Sequence, residues 1–362
     1  MERRPKVHKK SCNIMKKISI GIDISKEKIN ICLRSDGKNL SEGESTNRIT
    51  AIKKHVMKCM KEFDMTSEEV VVCAEYTGKY IYPLVCACNE MGLFLWMEDP
   101  TRIKHSFGMS RGKDDRIDAR RIAEYAERFQ DKAVAYGMPD KTLYSIRELL
   151  SDRDTLLEDR KRYQTQLNDQ KNFMDAKDYR RKSRMWEAVI RTINQQLEFI
   201  NRELAELVAS DDKIKQQMRL LKTVDGVGDV IAIYMIAVTM GFTRFKNPRQ
   251  FYCYAGLAPF QYTSGKSIHS KSKVSQRANK RIKALLHLAA VSVATRMKDS
   301  DFYAYYERKR ADGKHPMSIL NVVRAKLVSR MFAVVRRNSD YQRKYDLSVA
   351  NKNCFKNSLI MS

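Results

Sequence analysis

The sequence predicts an α/β domain followed by a mostly α-helical remainder, and three observations carry that division. Short apolar, β-branched runs flanked by Gly and Ser are concentrated before residue 100, heptad spacing occupies the middle, and helical apolar patterns around a basic Ser, Gly and Lys loop fill the last third. The runs at 18–24, 29–34, 40–45, 70–75 and 93–97 read as strands, with helices expected near 48–63, 81–91 and 116–129. In the first of these helices Ile49, Ile52, Val56, Met60 and Phe63 make one apolar face behind Asn47, a candidate N-cap.

Three early strands followed by alternating strand and helix is the order of an RNase H-like fold, which we assign to residues 18–135. Four carboxylates fall where such a fold supports phosphodiester chemistry. Asp23 in ISIGIDISK and Glu75 in VVVCAEYTG sit at strand ends, which adjacent strands bring together. Asp115 and Asp118 in KDDRIDARRIAEYA are three residues apart with Ile117, Ile122 and Tyr125 at helical spacing, so both lie on one helix face. Each has a plainer reading alone: Asp115 and Asp118 as helix N-terminal charges favoured by the dipole, Asp23 as a strand end. As a set they read as a metal site. Hard oxygen ligands without accompanying thiol or imidazole indicate Mg²⁺ or Mn²⁺. Two ions about 4 Å apart can hold the attacking and leaving oxygens of a phosphoryl transfer.

Composition agrees about the substrate. The 69 Lys and Arg exceed the 43 Asp and Glu, a formal net charge of +26, and that excess predicts a polyanionic partner bound in a salt-dependent way. No acid occurs from Gly241 through Lys298, whereas twelve Lys and Arg do, interleaved with Tyr252, Tyr254, Phe260 and Tyr262. These aromatics can stack on bases or pack a small core, and we favour the core for most. A hydrophobic content of 43% excludes general disorder, and no apolar run approaches the roughly 20 residues that span a bilayer. Residues 1–17 form a basic N-terminal arm without the apolar stretch of a secretory signal, so a cytoplasmic, nucleoid-associated protein is expected. The eight cysteines include no CxxC pair and read as reduced and buried.

Residues 140–214 read as a coiled-coil helical hairpin. Trp186, Ile190, Ile193, Leu197, Ile200, Leu204 and Leu207 alternate spacings of four and three, a heptad seam. A weaker seam, Ile146, Leu149, Leu156, Tyr163 and Leu167, is interrupted by inward-facing Arg153 and Arg160, and a connection is expected within 168–184. The hairpin can simply space the two ends of the protein or pair with another subunit. We expect self-association, as dimer or tetramer, through such a pairing.

Residues 215–346 form the C-terminal domain and 347–362 a tail without interpretable pattern. In LLKTVDGVGDVIAIYMIAVTMG, Gly226 and Gly228 lie between apolar helical patterns like the turn of a helix-hairpin-helix element, whose backbone amides hold a phosphate. An ordinary helix connection is the plainer reading. The GKS at Gly265 to Ser267 is no P-loop, because Phe260 stands where its first glycine belongs and no strand precedes it. What remains is a loop, Thr263 to Ser275, whose cations with those that follow, Lys266, Lys271, Lys273, Arg277, Lys280 and Arg281, are candidate nucleic-acid contacts. It can hold DNA passively or present a serine nucleophile, which needs a base, a metal or a cationic setting.

GIDISK at Asp23, AEYTG at Glu75, KDDRIDA at Asp115 and Asp118, and GLAPFQYTSGK at Ser264 together resemble the signature blocks of the DEDD-type insertion-sequence transposases, the insertion-sequence one-ten family. The blocks occur in family order and, with AKLVSRMFAVVRR near the end, span most of the chain. The resemblance implies an RNase H domain like that of Holliday-junction resolvases, a coiled-coil linker and a helical transposase domain with a serine nucleophile. It also implies recombination of target and donor DNA guided by a structured noncoding RNA, the bridge RNA, in assemblies where one subunit's acids meet another's serine. Carried over by motif, the tetrad is Asp23, Glu75, Asp115 and Asp118 and the nucleophile is Ser264, with Thr263 in place of a frequent second serine. The chain departs from the family's Gly-Asn and Arg after the loop, showing Ala278, Asn279 and Lys283. Alanine adopts positive φ less readily and lysine lacks the guanidinium fork.

The expected mechanism is attack by Ser264 on a phosphodiester, giving a 5′-phosphoserine link that is resealed without ATP. The rivals are a metal-dependent junction nuclease using water, and a non-catalytic nucleic-acid-binding scaffold.

Overall fold

A computed structural model describes residues 18–107, 114–138, 140–260, 263–264, 268–269, 273–274 and 278–343, with backbone alone for 260–274 within these. It divides into two compact units, Met1–Pro139 and Asp140–Ser362.

In the first unit strands β1 (Ile18–Ile24), β2 (Lys28–Ser35) and β3 (Lys38–Thr46) form an antiparallel meander, and β4 (Val70–Glu75) and β5 (Phe94–Glu98) add in parallel beside β1. The sheet order is β3-β2-β1-β4-β5, the arrangement expected of an RNase H-like fold. Parallel strands need crossovers, which α1 (Ile49–Glu62) and α2 (Tyr82–Glu90) supply. The two-residue alternation of strands then sorts the sheet's faces. Ile20, Ile22, Ile31, Val70 and Val72 point to a core with Ile52 and Val56 of α1 and Leu84 of α2, whereas Val71, Cys73 and Trp96 point the other way, toward Ile122 and Tyr125 of α4 (Asp115–Arg128).

Asn47 does not cap α1. Arg48 occupies the cap without a side-chain hydrogen bond, and Asn47 Nδ2 instead donates to the carbonyls of Ser25 and Tyr80, 3.0 Å each, joining two loops. A short helix that the sequence reading omitted, α3 (Pro100–Ser106), follows β5, with Asp99 as cap and Pro100 in its first turn.

The second unit opens with α5 (Lys141–Gln170) and α6 (Ala176–Ser210), which pack together as a hairpin. Their connection is shorter than the stretch expected within 168–184, because Asp175 caps α6 through the amide of Lys177 and the helix runs on through polar residues. Ile193, Leu197, Ile200 and Leu204 of the seam are buried, and Tyr163 stacks on Trp186 at 4.7 Å. The interrupting arginines find polar partners across the hairpin: Arg153 Nε donates to Asn201 Oδ1 at 3.1 Å and Arg160 Nη1 to Asn194 Oδ1 at 2.9 Å.

The base of the hairpin shares one core with α7 (Asp212–Lys222), α8 (Asp229–Thr239), α9 (Pro248–Tyr254), α10 (Lys280–Thr295), α11 (Asp301–Ala311) and α12 (Pro316–Arg337). Between α9 and α10 the backbone makes two-residue strands, β6 (Pro259–Phe260) with β9 (Lys273–Val274) and β7 (Thr263–Ser264) with β8 (Ile268–His269). The expected burial of the cysteines holds for Cys32, Cys59, Cys73, Cys86 and Cys88 but not for Cys253, which is exposed on α9, a short helix with Phe251 alone fully buried. No helix among the described residues is long and apolar enough to cross a membrane.

Candidate active site

The predicted acids of the first unit are placed by strand alternation and one close helix approach. On β1, Gly21 and Asp23 share a face. A Cβ added to Gly21 would stand 2.2 Å from the amide nitrogen of Ala123 and 2.3 Å from the carbonyl oxygen of Ala119, so the missing side chain lets α4 lie directly on β1. On β4, Glu75 shares the face of Val71 and Cys73, which pack toward α4. Asp23 and Glu75 therefore end their strands on the side that α4 covers. Along α4, Asp115 and Asp118 precede Ala119 and Ile122 on the packing face at helical spacing. Asp114 caps the helix through the amide of Arg116 at 3.0 Å, so neither Asp115 nor Asp118 is needed as the cap.

Two of the other three acids act electrostatically on Glu75. Burial, then the charges of Asp23, Asp118 and Asp99, hold the Glu75 carboxyl above its ordinary range. Asp115 lies about a turn N-terminal to Asp118 on the same face and is not among the charges acting on Glu75. Asp118 also meets Arg121 at 3.2 Å. Among the described residues no three His, Cys, Asp or Glu side chains stand close enough to hold a metal ion together. The carboxylates are thus coupled through space without converging. Their chemistry still fits a hard divalent cation: the donors are oxygens that repel one another. Cys73 is kept a neutral thiol by burial and by the charges of Glu98 and Glu75.

Two further acids belong to this neighbourhood and were missed in the sequence. Glu98 pairs in register with Glu75 and is buried, accepting from the Asp99 amide at 2.8 Å and from the Tyr125 hydroxyl at 3.3 Å. Burial and Glu98 push the Tyr125 hydroxyl up to about 12. Glu98 thereby ties β5 to α4, while Asp99 caps α3 and adds to the field on Glu75. The available signal was WMEDP, an acidic pair directly after a strand and before a helix-opening proline. Ion pairs hold α4 from the meander side as well. Arg120 forks onto Glu42 at 2.6 and 2.7 Å, and Arg34 Nε meets Glu127 at 2.6 Å.

In the second unit, Ser264 falls in β7, where only backbone is described. The side chain of Lys273 in β9 likewise lies outside the described residues, as do Lys266, Lys271 and Arg277 altogether. Lys280 opens α10 exposed. Arg281 has an intramolecular role: its Nε lies 2.8 Å from Asp154 Oδ1 of α5, its guanidinium covers the Tyr234 ring at 5.3 Å, and the Tyr234 hydroxyl also bonds Asp154. Gly226 is required by packing, with φ of +79° and an added Cβ 2.3 Å from Val293 Cγ1, whereas Gly228 faces open space at the start of α8. Arg343 braces this turn, meeting Asp225 at 2.7 Å and Asp299 at 2.6 Å. Where the chain departs from Gly-Asn, Asn279 caps α10 and donates to the Tyr254 hydroxyl at 2.9 Å.

Two family models match the chain, one described as Transposase, of the DEDD insertion-sequence type, over residues 20–170 and one described as Transposase IS116/IS110/IS902 family over 218–307. The chain belongs to the IS110 transposase family. Enzymes of this family cut and rejoin DNA. Over 333 residues the chain is 22% identical to a pilin gene-inverting protein of Moraxella lacunata, covering 91% of this chain and 99% of that protein. It is 31% identical over 124 residues to a 43.6 kDa protein of insertion element IS110 in Streptomyces coelicolor, covering 34% of this chain and 30% of that one. Thermus thermophilus RuvC, solved in complex with a Holliday junction substrate, is 14% identical, with a TM-score of 0.25 over 31% of this chain and 96% of RuvC.

Proposed function

We propose that this transposase cuts DNA by transesterification, with Ser264 as nucleophile and Asp23, Glu75, Asp115 and Asp118 as the acids that hold Mg²⁺ or Mn²⁺. The observation that carries the reading is the environment of Glu75: burial and then the charges of Asp23, Asp118 and Asp99 raise its proton affinity, and a cation relieves that repulsion. When bound, the ions would supply charge stabilisation for the attacked phosphate and the leaving oxygen. In the step itself the Ser264 hydroxyl oxygen bonds to phosphorus and the bond from phosphorus to the 3′ oxygen breaks. The serine proton passes to that oxygen, leaving a 5′-phosphoserine and a 3′ hydroxyl. The reverse attack by a 3′ hydroxyl from another strand reseals the backbone and restores the serine.

Guidance by a structured bridge RNA that pairs with target and donor DNA, and assembly as a dimer or tetramer, belong to the same proposal. The family resemblance and the +26 net charge support a second polyanionic partner. The test is cleavage of a DNA substrate with and without the element-encoded RNA, in Mg²⁺ and in EDTA. Cleavage that needs RNA and Mg²⁺ and is lost in Asp118→Ala is expected. Cleavage that persists in EDTA and in Asp118→Ala would remove the acids from the chemistry.

A further inference from the structure

The apolar stripe of α12 contains one residue that does not belong to a core. Ile319, Leu320, Val323, Leu327, Val328 and Met331 are buried on it, and so is Arg324, with 6% of its surface exposed. A guanidinium in that position demands acceptors, because taking its charge out of water is costly unless it is paired. Arg324 makes one hydrogen bond, from Nε to the Leu320 carbonyl at 3.4 Å, and no ion pair among the described residues. The nearby imidazole is also short of a partner. His287 on α10, the helix packed against α12, has a buried Nδ1 with no hydrogen-bond partner among the described residues. No Asp or Glu occurs between 241 and 298, so α10 and the segment before it offer no counter-ion.

We infer that Arg324 and His287 form an oxyanion site that takes the non-bridging oxygens of a DNA phosphodiester. The guanidinium fork matches two phosphate oxygens. Burial and the Arg324 charge lower the pKa of His287, so at neutral pH its ring is uncharged and presents a single N–H. Lys280 and Lys283 lie on the same face of α10 as His287 at helical spacing, adding a field that draws a polyanion rather than an isolated carboxylate. The site also adjoins the path to the candidate nucleophile. Asn321, one turn before Arg324, donates from Nδ2 to the Leu257 carbonyl at 2.9 Å, and the chain runs from Leu257 through β6 to Ser264 in β7. Arg324 is therefore assigned as a phosphate-binding residue for the strand presented to that loop. This assignment rests on the proposed function only for the identity of the strand.

The test uses the full chain in five forms: wild type, Arg324→Met, Arg324→Lys, Ser264→Ala and, as a nearby surface-cation control, Lys326→Met. Two readouts are taken, the unfolding midpoint in inorganic phosphate against chloride of equal ionic strength, and affinity for a fluorescein-labelled DNA duplex. Phosphate should raise the wild-type midpoint and leave Arg324→Met unmoved, while DNA affinity in Arg324→Met falls about 10- to 100-fold. Arg324→Lys, a point charge without the fork, should fall between and covers the case in which the methionine variant is poorly folded. Retention of the phosphate shift and of DNA affinity in Arg324→Met overturns the site, as does an equal loss in Lys326→Met. Ser264→Ala should keep both readouts, so a failure of the serine chemistry is seen separately, in cleavage, and leaves this site standing.

Discussion

The fold alters the ionisation of Glu75, one of the four candidate acids. Its carboxyl binds a proton more tightly in the fold than in the unfolded chain, because burial and the charges of Asp23, Asp118 and Asp99 disfavour ionisation. Between the ordinary carboxylate pKa and the raised native one, the folded protein holds more protons than the unfolded chain. Stability in metal-free buffer must then fall as pH rises through that window. Glu75→Gln should flatten the fall in a thermal unfolding series in EDTA and reduce DNA cleavage by at least about 10²-fold. An unchanged pH slope would mean that the fold does not raise the proton affinity of Glu75. Gly21 is the second such residue. Gly21→Ala must push Ala119 and Ala123 away, a cost of about 1–3 kcal/mol, and displaces the helix that carries Asp115 and Asp118. Denaturant unfolding should register the loss, and cleavage should fall with it even though no acid is altered.

At the scale of elements, the strands and α4 were legible because their patterns are redundant. β-branched runs ended at Asp23 and Glu75, and Ile117, Ile122 and Tyr125 kept helical spacing behind the acids. The misreadings have physical causes. Pro100 reads as a breaker, yet after the capping Asp99 it opens α3, because the first turn of a helix needs no amide from it. The polar tract after 168 reads as a loop, but a solvent-exposed helix needs no apolar seam once Asp175 caps it. Arg153 and Arg160 looked like faults in a heptad seam. Across the hairpin each meets an asparagine, and the Arg160–Asn194 pair is partly shielded. A double-mutant cycle of Arg160→Ala with Asn194→Ala should give a coupling of about 0.5–1.5 kcal/mol in denaturant unfolding. A coupling near zero would show that these two side chains do not meet in solution.

For the whole molecule, charge governs partner binding, and the structure separates cations that face solvent from one that does not. Affinity for DNA should fall linearly on a log–log salt plot, with about 0.9 of slope for each phosphate contacted. Lys280→Gln should lower that slope by roughly 1, because Lys280 is exposed at the head of α10. Arg281→Gln should leave the slope nearly unchanged and instead cost up to about 1 kcal/mol of stability, since its guanidinium is engaged with Asp154 and Tyr234. A count of cations in the sequence could not distinguish the two, because Asp154 lies far away in the chain on α5. Nor could it single out Arg324, whose burial emerges only when α10 packs on α12. The places of the four acids in the fold were legible for the opposite reason: each sits at the end or first turn of an element with a strong local pattern. The most direct measurement is a denaturing gel of end-labelled DNA incubated with the protein, the proposed bridge RNA and Mg²⁺, beside Ser264→Ala and Asp118→Ala. The account predicts a protease-sensitive protein–DNA adduct that both variants lose; free cleaved ends that persist in Ser264→Ala but vanish in Asp118→Ala would contradict it and make the enzyme a hydrolytic metal nuclease.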